Sequence, residues 1–189
     1  MAALIELMKE KSVHSITVKA LCAKAQVNRA TFYGHYENLQ DFLDQMIMRT
    51  TSDMTLLLDN ENRYVMLLSS DDPTDAYSTA IQYVLDNAEF FRAMFGSNGL
   101  ADFQGLLVKQ GVEQLLEALR PQEVRFESKV ELDVLANFII QAELGSLNHY
   151  VRSNMKYSAR YMAQQILTLI GSLLFALEID LPLAQYGRQ

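Results

Sequence analysis

Hydrophobic positions recur every three to four residues along this chain, a spacing that predicts helices. Leu4, Ile5, Leu7 and Met8 mark the first, over Ala2–Lys11, and Ser12–Ser15 connects it onward. Thr17–Tyr36 reads as two short helices around a tight turn. Thr17 can cap the first, with Ile16 stapled on Leu21, and Asn28 can cap the second, with Val27 stapled on Phe32. Val18, Leu21 and Cys22 form one inward face, and Phe32 and Tyr36, four apart, form another. Leu39, Phe42, Leu43, Met46 and Ile47 then keep helical spacing in a helix opened by Glu37-Asn38 and running to about Leu58.

The pattern breaks over Asp59–Asp72, where DNENR and SSDDP read as loops around a short apolar element, Tyr64–Leu68. It resumes over Thr74–Asn87, with Ala76, Tyr77, Ala80, Ile81, Val84 and Leu85 inward. Phe90, Phe91, Met94 and Phe95 make a short aromatic helix stopped near Gly96, followed by a turn at Ser97-Asn98-Gly99. A further helix spans Leu100–Leu119 and ends before Pro121. Two long helices, Ser128–Arg152 and Ser158–Glu178, close the chain.

Both closing helices are apolar on most of their circumference, so each needs cover on two sides. The chain's own body supplies one side, and a second copy of the chain is expected to supply the other. The expected interface is Ile139, Ala142, Ser146, Leu147 and His149 from one helix and Ile166, Ile170 and Leu174 from the other. Gly145-Ser146, Ala163 and Gly171-Ser172 would let helices approach closely. The alternative is a central helix buried within one large monomer.

The chain is therefore expected to be all-α. A three-helix head, residues 1–47, joins a helical body, residues 48–189. Half the residues are hydrophobic, and Gly and Pro number only 8 and 3. That composition supports a large core without disordered tracts. The net charge of −7 is unevenly spread. Residues 1–50 carry six cations against five anions, so the acidity lies in the body. That asymmetry leaves a near-neutral head on an acidic body that repels other polyanions.

The chemistry that stands out is on the second short helix. With Phe32 and Tyr36 inward, Arg29, Ala30, Thr31, Tyr33 and His35 are left outward. A recognition helix sets such side chains on phosphates and base edges in the major groove. Arg29 suits guanine, because a guanidinium can bond O6 and N7 together. Thr31 suits a phosphate or a thymine methyl, and Thr17, at a helix start, can add a hydroxyl and an N–H. Lys19 and Asn28 complete the expected DNA-binding set. A near-palindromic double-stranded operator would match a two-fold protein.

Thr17-Val18, Leu21, Ala25-Gln26-Val27-Asn28, Thr31-Phe32-Tyr33 and His35-Tyr36 resemble the DNA-binding signature of TetR-family transcriptional regulators, over residues 2 to 47. Asn87–Phe91 and Phe95–Phe103 resemble, more loosely, the C-terminal domain of a TetR subgroup common in Gram-positive bacteria. The resemblance implies phosphate contacts from Tyr33 and His35. It also implies a body whose ligand moves the linking helix and changes the separation of two heads, as in a repressor. The sequence departs from the family at three positions. Gln26 replaces the turn glycine, which predicts a non-glycine residue at positive φ. Gly34 stands where a larger residue is common, and Leu39 where a phosphate-holding lysine is frequent. The chain also starts almost at its first helix, without the basic arm of many members. The missing arm, Gly34 and Leu39 support a second reading, a coactivator or regulator that binds protein partners with weak or no operator binding of its own.

An effector pocket in the body could be lined by Tyr77, Tyr83, Phe90, Phe91, Phe95, Phe103 and Phe138, with Glu143 or His149 as polar anchors. Such a pocket would take a small, largely apolar molecule. The competing reading makes the aromatic set plain core and pairs Glu143 or His149 across the dimer. No catalytic or cofactor motif is present, and His14, His35 and His149 lack metal-ligand spacing. One cysteine, no secretory leader and no membrane span point to the cytoplasm.

Overall fold

A computed structural model describes residues 1–56, 72–100, 102–119 and 130–179. Among them every regular element is a helix. Helix α1 spans Ala2–Met8, and a 3-10 turn follows at Val13–Ser15. Next come α2 (Val18–Ala25), α3 (Arg29–Tyr33) and α4 (Leu39–Leu56). The body supplies α5 (Thr74–Asp86), α6 (Ala88–Phe95), α7 (Phe103–Leu119), α8 (Leu132–Arg152) and α9 (Ala159–Ala176). The expected apolar element at 64–68 and the stop at Pro121 lie outside the described residues.

Several helices differ from their expected bounds, among them α8, which begins at Leu132 instead of Ser128, with Val130 and Glu131 outside it. Helix α1 ends at Met8, not Lys11, where the Glu10 amide bonds the Leu7 carbonyl three residues back and breaks the i→i−4 series. Helix α7 starts at Phe103 instead of Leu100, since the Phe103 amide bonds the Leu100 carbonyl in a turn that precedes the helix.

The core forms two clusters. One holds the body together: Tyr77 and Ile81 of α5 pack with Leu115 and Ala118 of α7, Ile140 and Leu147 of α8, and Ala163 and Leu167 of α9. Helix α5 lies along α9, and α7 along α8. The close approach of α7 to α8 depends on Gly111, where a Cβ would stand 2.9 Å from the Ile140 side chain.

The second cluster does not stop at the end of the head. Leu4, Met8, Val13, Leu21, Phe32 and Leu43 pack in one group with Phe90, Phe91, Met94, Phe103 and Val151. Phe90, Phe91 and Phe103 keep only 2%, 3% and 1% of their surface. Burying each stabilises the fold by about 1.5–3 kcal/mol. The head is thus seated on α6 through a shared core.

Candidate nucleic-acid interface

The two short helices of the head are set by their caps. Thr17 Oγ1 accepts from the Ala20 amide at 3.2 Å and starts α2. Asn28 Oδ1 accepts from the Ala30 amide at 2.9 Å and starts α3. Between them Gln26 adopts φ 57° and ψ 37°, the left-handed conformation expected where it replaces glycine. The Val27 amide closes back on the Cys22 carbonyl at 3.0 Å, a Schellman-type ending.

Within α3 only Phe32 is buried. Its ring meets Tyr36 at 5.3 Å, Tyr33 at 5.5 Å and Phe42 at 5.9 Å between centroids. Val27, expected to staple on Phe32, is 46% exposed. Thr17, Lys19, Asn28, Arg29, Ala30, Thr31, Tyr33 and His35 are all exposed, so the structure gathers every residue of the expected set at the surface of α2 and α3. The Arg29 guanidinium carbon lies 5.8 Å from the centroid of the Tyr33 ring. Gly34 closes α3 in ordinary right-handed geometry. Leu39 is half-buried against the head core, where it cannot stand in for a phosphate-holding lysine.

The closing helices need a correction. Ile139, Leu147, Ile166 and Leu174, expected at a dimer interface, are 6%, 6%, 4% and 3% exposed inside their own body. Ile170 is half-buried against the same core. Ala142 and His149 do face outward, and Ser146 is half-buried at the edge, its hydroxyl donating to the Ala142 carbonyl. The outward apolar residues are Val134 and Phe138 on α8 and Tyr161, Leu169 and Phe175 on α9. Helical spacing from Val134 through Phe138, Ala142, Gly145 and His149 would have found this face. What the sequence does not tell is which of two apolar arcs points inward.

The expected pocket residues divide as well. Phe90, Phe91, Phe95 and Phe103 pack on one another, with centroids 5.2 to 6.5 Å apart. Tyr83 is half-buried beside them. Phe138 stands outside this group, exposed on α8, because its position falls on the outward arc. Tyr77 and Glu143 are buried together, and the Tyr77 hydroxyl donates to the Glu143 carboxylate. A cleft of about 350 Å³ opens elsewhere, between α1 and α6, lined by Met8, Lys9, Glu89, Arg92 and Asn98 among others. None of the expected pocket residues lines it.

A capped helix-turn-helix seated on a helical body is the arrangement that the comparisons with known proteins assign to transcriptional regulators. The family model described as "Bacterial regulatory proteins, tetR family" matches residues 1–46, and that described as "Transcriptional regulator C-terminal region" matches residues 71–172. The chain belongs to the TetR family. Its fold is similar to that of the dihydroxyacetone kinase operon activator DhaS, with a TM-score of 0.61 at 17% identity over 93% of this chain and 94% of that one. A structure of RolR without ligand aligns at a TM-score of 0.46 and 18% identity, over 90% of each chain. No curated protein matches the sequence. Among the described residues no helix is long and apolar enough to cross a membrane, and no group of three His, Cys, Asp or Glu could hold a metal ion.

Proposed function

We propose that the chain is a sequence-specific repressor that binds a near-palindromic operator as a homodimer and leaves it on binding a small effector. The observation that carries this reading is α3 itself. One aromatic side chain anchors it, and Arg29, Ala30, Thr31, Tyr33 and His35 are exposed around that anchor. In this reading α3 lies in the major groove, Arg29 reads a base edge, and Tyr33, His35 and Thr17 hold phosphates. Lys19, Asn28 and Thr31 complete the contact surface.

Dimerisation is supported by the outward residues Val134, Phe138, Leu169 and Phe175, which a second copy would cover. Gly145 lies on the same arc of α8, with nothing within 4 Å of where its Cβ would stand, so a partner helix could approach closely there. The effector is expected to be small and largely apolar, with a polar group that engages the buried Tyr77–Glu143 pair. Thermal shift against a panel of small molecules tests that part, and tight binding of a sugar phosphate as the effector would count against it.

Selection of bound duplexes from a random DNA pool tests the reading as a whole. A shared motif with two-fold symmetry supports it. Recovery of no motif favours the alternative, a regulator acting through protein partners, which the half-buried Leu39 also supports.

A further inference from the structure

Asn98 stands in the turn after α6 and bonds the head twice. Its side-chain Nδ2 donates to the Met8 carbonyl at 2.9 Å. Its own carbonyl accepts from the Val13 amide at 2.8 Å. Met8 is the last residue of α1, where carbonyls have lost their intrahelical donors. A body residue thus closes the end of a head helix, across 90 positions of sequence.

The turn that carries Asn98 is fixed. The Gly99 amide bonds the Gly96 carbonyl at 3.0 Å. A Cβ on Gly99 would stand 2.1 Å from the Met94 carbonyl oxygen, so no larger residue fits without moving the backbone. Helix α6 is itself tied to α8, since Arg92 Nε donates to the Val151 carbonyl at 2.9 Å. Two side-chain-to-backbone bonds therefore run from α8, which carries the outward apolar face, through α6 to α1.

We propose that Asn98 is a positioning residue for DNA binding. It sets the angle at which the head stands on the body, and hence the separation of the two recognition helices. This rests on the dimeric, operator-binding reading above. The physical reason lies in the kinds of contact at the junction. Apolar packing between head and α6 is non-directional and tolerates small sliding. A hydrogen bond is directional and weakens steeply when misaligned. The cleft of about 350 Å³ beside Met8 and Asn98 leaves the head room to rock once that bond is gone.

Asn98→Asp tests the idea, because it keeps the size of the side chain and the Val13 bond but turns an acceptor toward the Met8 carbonyl. Asn98→Ala removes the donor without adding charge. Affinity is measured for the selected operator and for versions with the half-sites one base pair closer or farther apart. Wild type should lose roughly tenfold or more per base pair of change, the scale of one lost base contact, and the variants roughly threefold or less. Their melting temperatures should stay close to wild type. An equal loss on all three spacings would mean a general stability role and would overturn the proposal.

A second readout does not need the operator. Spin labels are placed on exposed Lys24 of the head and Glu117 of α7, with labelled chain diluted by unlabelled chain. The distance distribution should broaden in both variants. An unchanged width overturns the proposal, whereas failure of wild type to select any DNA, with broadening still seen, would fault the operator reading alone.

Discussion

Phe138 and Ile139 are neighbours on α8 and face opposite ways, Phe138 with 61% of its surface exposed and Ile139 with 6%. The pair divides α8 into an arc that the protomer buries and an arc that it leaves uncovered. The uncovered arc is the one available to a second copy. Phe138→Arg or Leu169→Arg should therefore give a folded monomer, seen by sedimentation together with an unchanged helical circular dichroism spectrum. Leu147→Arg, by contrast, places a charge in the protomer core and should unfold the chain. A wild-type chain that is monomeric at micromolar concentration would remove the basis for this prediction.

This division shows what the sequence could and could not tell. Thr17 and Asn28 accept from amides two or three residues on, and the Gln26 amide donates to the Ala23 carbonyl, so the helix-turn-helix was legible from local rules. The exposure of Arg29, Ala30, Thr31, Tyr33 and His35, the α3 part of the expected DNA-binding set, followed from placing Phe32 inward. Helices α8 and α9 were legible as helices but not as oriented helices, since two apolar arcs look alike until neighbours are placed. That is why Ile139 and Leu147 were expected outside and Phe138 inside. The bond from Asn98 to Met8 has no local signature, as the partners are 90 residues apart.

Gln26 offers a test of backbone strain. Its φ of 57° lies in the left-handed region, which for a residue with a Cβ costs about 1–2 kcal/mol. Gln26→Gly removes that cost but adds freedom to the unfolded chain, worth about 0.4–1 kcal/mol. The net gain should be roughly 0.5–1 kcal/mol, read as a higher denaturation midpoint with unchanged slope. A lower midpoint would show that the Gln26 side chain supports the turn in some other way.

The Tyr77–Glu143 pair makes a second stability prediction. Glu143 is 2% exposed, and the Tyr77 hydroxyl is one of its donors. Tyr77→Phe leaves the ring in place and the buried carboxylate one donor short. The expected loss is about 1–3 kcal/mol in urea denaturation. An unchanged midpoint would mean that the carboxylate is satisfied without the phenol.

The proposed DNA contacts can be separated by how their loss depends on sequence. Arg29 and Tyr33 lie one helical turn apart, and the guanidinium sits 5.8 Å from the ring centroid. Tyr33→Phe keeps that ring under the cation and removes only the hydroxyl. If the hydroxyl holds a phosphate, affinity should fall alike on cognate and scrambled duplexes, because phosphates carry no sequence. Arg29→Ala removes the group suited to guanine O6 and N7. It should cost about 1–3 kcal/mol on the cognate site and relax preference at one base pair in each half-site. Tyr33→Ala should resemble Tyr33→Phe on scrambled DNA, yet lose more on the cognate site, because it also frees Arg29 from the ring. Titrations of the three variants on both duplexes, at one fixed salt concentration, decide the assignment. Equal losses on both duplexes for Arg29→Ala would make Arg29 a phosphate contact and leave base reading to Thr31 and its neighbours on α3.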